Sequence, residues 1–188
     1  MAELYQVCLR TGDSGSDATG LHAHENMLGE VYVGPYVTFG SATSFSLIND
    51  DDHVVGYGLS VFDTEGLESE CNRKWWPEIQ SKYSLLKDRQ SECWLIHEIF
   101  NPSPSPKHLL RDYPSHGHID LLPATQGIGF GRKMMEAMER SLTELGSPGF
   151  HLRVSPHNAR ALKFYSALNY QVIDESPTVI TVGKRLNT

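Results

Sequence analysis

Between His118 and Arg132 the sequence reads HIDLLPATQGIGFGR, with glycines at 127, 129 and 131 just ahead of a segment with helical periodicity. Glycine carries no Cβ, so a loop of this kind lets a ligand come close to the backbone. The N–H groups that open the following helix lack carbonyl partners and add positive potential. Together these features make an anion site whose natural guest is a phosphate-bearing cofactor. Spacing narrows the choice. A P-loop needs GxxxxGK followed by Ser or Thr, which this chain lacks, and the dinucleotide fingerprint GxGxxG needs glycine at 132, where the chain has Arg132. A glycine-rich turn that only packs helix on strand is the competing reading of the triplet by itself.

Other reactive groups sit on either side of this loop. His118 and Asp120 alternate along one strand and so share a face. Asn158 and Tyr165 lie seven residues apart, two helical turns, and share a face as well. His116-x-His118 has a spacing open to a metal, but no further ligand cluster accompanies it, and Cys8, Cys71 and Cys93 are widely spaced without a CxxC pair. No metal is expected.

The elements that must position these groups follow from apolar periodicity. In the first half, Leu4–Arg10 reads as a strand, followed by TGDSGSDATG as a loop or helix cap. Residues 22–41 read as a short helix and an irregular segment. Ser44–Ile48 and His53–Phe62 flank NDDD as a β-hairpin, residues 66–90 look helical around Pro77, and Glu92–Phe100 reads as a strand. NPSPSPKH is a loop. In the second half, His116–Leu122 is a strand, and apolar residues at 130, 134, 135, 138, 142 and 145 make a helical stripe stopped by Gly146. Phe150–Val154 is a strand, and Asn158–Leu168 is a helix capped by Asn158 and closed by Asn169. Tyr170–Asp174 and Val179–Arg185 are two more strands. The expectation is one α/β domain over residues 1–188, with a mostly β first half.

Composition excludes several classes of function. The chain has 188 residues, 39% of them apolar, and a net charge of −7. That charge disfavours nucleic acid and anionic lipid as partners. No run approaches the roughly 20 apolar residues that span a bilayer. The start, MAELYQVCLRTGDSG, has neither the basic residues nor the apolar run of a secretion signal. A cytoplasmic protein, monomeric or homodimeric, is expected.

Gln126-x-x-Gly129-x-Gly131 resembles the Q/R-x-x-G-x-G/A pyrophosphate loop of the GNAT acyltransferases. Thirty residues on, SPHNARALKFYSALNYQV resembles that family's second cofactor segment, and the element order from 116 to 185 is similar to the family's C-terminal half. CLRTGDSGSDAT, GEVYVGPY and DYPSHGHIDLLP further resemble a branch that contains bacterial acetyltransferases and the C-terminal domain of the O-GlcNAc-removing hydrolases. In the animal hydrolases that domain is regarded as a pseudo-acetyltransferase.

The resemblance implies a GNAT fold: a mixed, mostly antiparallel sheet with helices on both faces and a V-shaped opening between two central strands. It implies acetyl transfer from acetyl-CoA to an amine, on a small molecule or a protein, by direct attack in a ternary complex. The alternative is a non-catalytic CoA-binding or interaction module. The loop Gln126-Gly127-Ile128-Gly129-Phe130-Gly131-Arg132 would hold the CoA pyrophosphate through its main chain, with Lys133 near enough to add charge. Leu121 and Leu122 would pair with the pantetheine arm through backbone atoms, and Asn158 would hydrogen-bond the cofactor. Tyr165 would protonate the departing thiolate. The base would be Asp120 or, second, His118, with His97 and Glu98 on the preceding strand. Asp13, Ser14 and Asp17 would line the acceptor side or cap a helix, while Trp75 and Trp76 would pack.

Overall fold

The computed structural model describes residues 1–22 and 24–186. In its N-terminal half two segments expected as strands, Leu4–Arg10 and Glu92–Phe100, are helical. Helix α1 spans Ala2–Thr11, with Tyr5, Cys8 and Leu9 buried at i, i+3 and i+4. Helix α2 (Met27–Tyr32) and α3 (Gly34–Phe39) follow. The hairpin forms as expected, from β1 (Phe45–Ile48) and β2 (Val54–Val61). Helix α4 (Thr64–Glu70) runs through a π turn, Cys71–Trp75, into α5 (Trp76–Lys82). The segment expected as a strand, Glu92–Phe100, contains helix α6 (Trp94–Phe100), which buries Leu95, Ile96 and Ile99 on one side. Short apolar runs satisfy either period, and here the packing partners chose the helix.

The second half agrees with its local signals. Helix α7 (Lys107–Leu110) precedes β3 (Ser115–Leu121), and α8 (Phe130–Glu144) precedes β4 (Gly149–Val154). Helix α9 (Ala159–Ser166) is followed by β5 (Gln171–Glu175) and β6 (Ile180–Arg185). Asn158 caps α9 by accepting a hydrogen bond from Ala161 N, while Gly146 and Asn169 take positive φ after their helices.

The strands form one six-stranded sheet in the order β1-β2-β3-β4-β6-β5. All pairs are antiparallel except β3–β4, which is parallel. One apolar core gathers Tyr57, Leu59 and Val61 with the N-terminal helices. The other gathers Phe150, Leu152 and Val154 with α8 and α9. Gly58 allows α8 to lie close on its face, since a Cβ there would stand 2.5 Å from Met134 Cγ. No helix among the described residues is long and apolar enough to cross a membrane.

Candidate active site

The site begins where two strands part. β3 and β4 pair only at Ser115↔Phe150 and His116↔His151, after which they separate. β3 remains laddered to β2 through Leu121, and β4 to β6 through Val154. A cavity of about 1430 Å³ occupies the wedge, running from the loop at Gln126 past Asp120 and Tyr165 to Tyr32, Trp94 and Glu98.

At one end lies the glycine loop. Gly127 and Gly129 have φ of +75° and +95°, and a Cβ at either would meet nothing within 4 Å. Backbone angle, rather than space, requires glycine here. Helix α8 starts on Gly129 with no side-chain cap and no acid in its first turn; it carries Arg132 and Lys133 there instead. A helix N-terminus usually favours negative charge, so an uncapped start flanked by cations is suited to an anionic guest. Gln126 Nε2 donates to the Leu121 carbonyl at 2.6 Å and ties the loop to the strand.

Arg160 is not among the residues that the sequence singles out. Its Nη1 donates to Gln126 Oε1 at 2.6 Å, and Nη2 reaches Gly15 O at 3.4 Å, so a guanidinium stands over the loop. A cation in the first turn of α9 is the only sequence signal for it.

Leu122 departs from expectation. Its N–H donates to Val55 O at 2.9 Å and is turned toward β2, away from the wedge. Strand alternation turns Leu121 the other way, and Leu121 lines the cavity. The side chains of Ile128, which is 66% exposed, and Phe130 stand outside the cavity wall, leaving their main chain for any contact.

At the centre, Asp120 Oδ2 accepts a 2.5 Å hydrogen bond from the Tyr57 hydroxyl. Among the described residues no cation pairs with it. Burial pushes its carboxyl above the usual range, opposed by the hydrogen bond from Tyr57. Tyr165 is buried at the cavity wall, its ring 5.3 Å from Phe164 and 5.8 Å from Tyr170. Burial first, then the Asp120 charge, pushes its phenol upward, so it stays protonated near neutrality. His118 packs edge-on against Tyr32 and Tyr36. Burial, then Arg153 and His151, bring it down to about 4, which makes it a poor proton acceptor near pH 7.

The far end differs from expectation in its elements. His97 and Glu98 belong to helix α6, not to a strand, yet both reach the cavity. Glu98 accepts from Ser103 N at 2.9 Å and Ser103 Oγ at 3.0 Å, and Glu68 accepts from Ser105 N at 2.7 Å. Asp13 and Ser14 line the cavity, as does Trp76, whereas Trp75 packs and donates Nε1 to Glu30 O at 2.8 Å. His116 is held by Thr64 at 2.8 Å and stacks on His151. No group of three or more His, Cys, Asp or Glu residues among those described could hold a metal ion.

Comparison with known proteins bears on this arrangement. The FR47-like protein family model matches residues 108–179. Protein O-GlcNAcase of Rattus norvegicus is 26% identical over 175 residues, covering 89% of this chain and 18% of that protein. The chain thus spans less than a fifth of the length of the curated relatives it matches. The solved structure of SsHAT is 26% identical, with a TM-score of 0.83 over 100% of this chain and 94% of that one. A GCN5-related N-acetyltransferase from Kribbella flavida, 11% identical, superimposes with a TM-score of 0.53 over 98% of this chain and 91% of that one.

Proposed function

From the premise that this chain has the GNAT acetyltransferase fold, we propose that it transfers an acetyl group from acetyl-CoA to an amine by direct attack in a ternary complex. The observation that carries this reading is the continuity of the wedge. One cavity joins an uncapped, cation-flanked helix N-terminus to a carboxylate with no ion-pair partner among the described residues.

The residues at the anion end suit a CoA pyrophosphate. Main-chain N–H groups of the loop 126–132 and of the first turn of α8 would bind it, with Arg132 and Arg160 supplying positive charge. Acetyl-CoA, when bound, supplies the thioester whose carbonyl carbon the amine attacks. Leu121, on the open side of β3, presents backbone to the acyl arm. Asp120 takes the amine proton as the new C–N bond forms. Its raised affinity for protons brings it nearer the working pH than an exposed aspartate would be. Tyr165 is kept as a phenol and gives its proton to the sulfur as the C–S bond breaks. Both groups line the same cavity.

The acceptor is a small-molecule or protein amine, and the reading involves no nucleic acid, membrane or metal. The protein works as a monomer or homodimer in the cytoplasm. The test is free-thiol release from acetyl-CoA with a panel of amines, alongside calorimetric titration of the cofactor. Asp120→Asn should lose at least about a hundredfold in turnover, the usual contribution of a positioned base, while binding acetyl-CoA within about threefold of the parent. A second reading, an interaction module that holds CoA without turnover, draws on the likeness to the O-GlcNAcase segment. Cofactor binding with no thiol release across the panel would select it.

A further inference from the structure

We propose that Tyr57 is a positioning residue for this reaction: its hydroxyl, donated across the β2–β3 ladder, holds one oxygen of the Asp120 carboxylate and leaves the other for the acceptor amine. The inference rests on Asp120 acting as the proton acceptor. Tyr57 and Asp120 are register partners, and opposed residues on antiparallel strands project from the same face. Tyr57 is completely buried, whereas Asp120 lines the cavity. The phenol thus reaches the carboxylate from the core side and leaves the cleft side open. At 2.5 Å the contact has the length of a hydroxyl donating to a charged carboxylate.

The other titratable groups around Asp120 do not replace this bond. Cys8, on α1, is pushed up to about 12 by burial and then by Asp120 itself. Tyr32, on α2, and Tyr165, on α9, are both raised by burial and stay neutral. His118, on the same strand, is down at about 4 and is also neutral. Thr11 approaches the carboxylate, but its hydroxyl is placed to donate to Val7 O at 2.8 Å. With no cation in the group, a neutral donor must oppose the effect of burial and hold the carboxylate's direction. Tyr57 is that donor.

The test is a ¹³C-carboxyl NMR titration of Asp120, its resonance identified by its loss in Asp120→Asn. In Tyr57→Phe the pKa of Asp120 should rise by about one unit, a tenfold change in its protonation constant, because the donor to the charged form is gone. The acidic limb of turnover should move up with it, and acetyl-CoA affinity should stay within about twofold. If Tyr57→Phe does not fold, 3-fluorotyrosine placed at position 57 keeps the shape with a more acidic phenol, and Asp120 should then titrate lower. An unshifted Asp120 in a folded variant overturns this inference alone. Full turnover by Asp120→Asn removes the base reading, and the proposal with it, so the two failures are told apart.

Discussion

Arg160 Nη1 donates to Gln126 Oε1 at 2.6 Å, while Gln126 Nε2 donates to the carbonyl of Leu121, also at 2.6 Å. A cation from α9 is thereby linked through one side chain to the strand that borders the wedge. Charge-assisted hydrogen bonds to phosphate are among the stronger polar contacts. Arg160→Ala should therefore weaken acetyl-CoA binding about tenfold, roughly 1.4 kcal/mol. Calorimetric titration checks this, and the difference between the proteins should shrink as salt is raised. Equal affinity at low salt would remove Arg160 from the cofactor site.

Gly129→Asp attacks the loop in two ways. Position 129 sits at φ +95°, a conformation that costs an ordinary residue on the order of 1–3 kcal/mol. The new carboxylate would also repel the cofactor's phosphates. Saturation with acetyl-CoA at a hundred times its Kd should stabilise the parent by about 2.7 kcal/mol, and Tm should rise by roughly 5–10 °C. The variant should show no such rise. ATP and NAD should give no comparable shift in the parent, because the loop lacks the spacing of either fingerprint; a larger shift with either nucleotide would reorder the cofactors.

Tyr165→Phe removes one hydroxyl and keeps the ring that packs against Phe164 and Tyr170. Cofactor affinity should stay within a few fold. Turnover should fall by about 10²-fold or somewhat less, since a thiolate leaves fairly well without help. Steady-state kinetics with an active amine, under conditions where chemistry limits the rate, measure the effect. An unchanged kcat would make Tyr165 a packing residue only.

Acid should destabilise the fold through its buried histidines. Burial holds both His118 and His151 near 4, and His116 also lies well below the ordinary value. These depressed values mean that the unfolded chain binds protons before the folded one does. Stability is complete above about pH 6.5, the unfolded value. It falls as pH drops toward 4, by up to about 1.4 kcal/mol per pH unit for each such imidazole. Denaturant unfolding at several pH values should show this slope, with a shallower one in His151→Asn. A flat profile between pH 6.5 and 4.5 would contradict the assignment of these rings as neutral.

The C-terminal half was legible because its signals are local. A left-handed Gly129, the Asn158 cap, the Gly146 stop and the stripe of Met134, Met135, Met138 and Leu142 each depend on neighbours within a few turns. The glycine loop, Asp120 and Tyr165 could be named from spacing and family resemblance for the same reason. In the N-terminal half the hairpin and the helical stretch around Pro77 were legible, but two segments were not. LYQVCLR and ECWLIHEIF are too short for periodicity to separate strand from helix, and both are helices whose apolar faces pack into the core, α1 against β2 and β3 and α6 against α2 and α5. That change moved His97 and Glu98 from a strand onto α6.

What the tertiary structure alone decided is how the chemistry is brought together. Tyr57 and Asp120 are 63 positions apart, and only the β2–β3 register makes them partners. Arg160 meets Gln126 across 34 positions because α9 packs beside the start of α8. The N–H of Leu122 was lost to Val55 because the ladder with β2 continues one residue past the strand. Residue types and local spacing determine which groups are able to react. Strand register and the parting of β3 from β4 determine which of them share a cavity, since those depend on burying two apolar cores against opposite faces of one sheet.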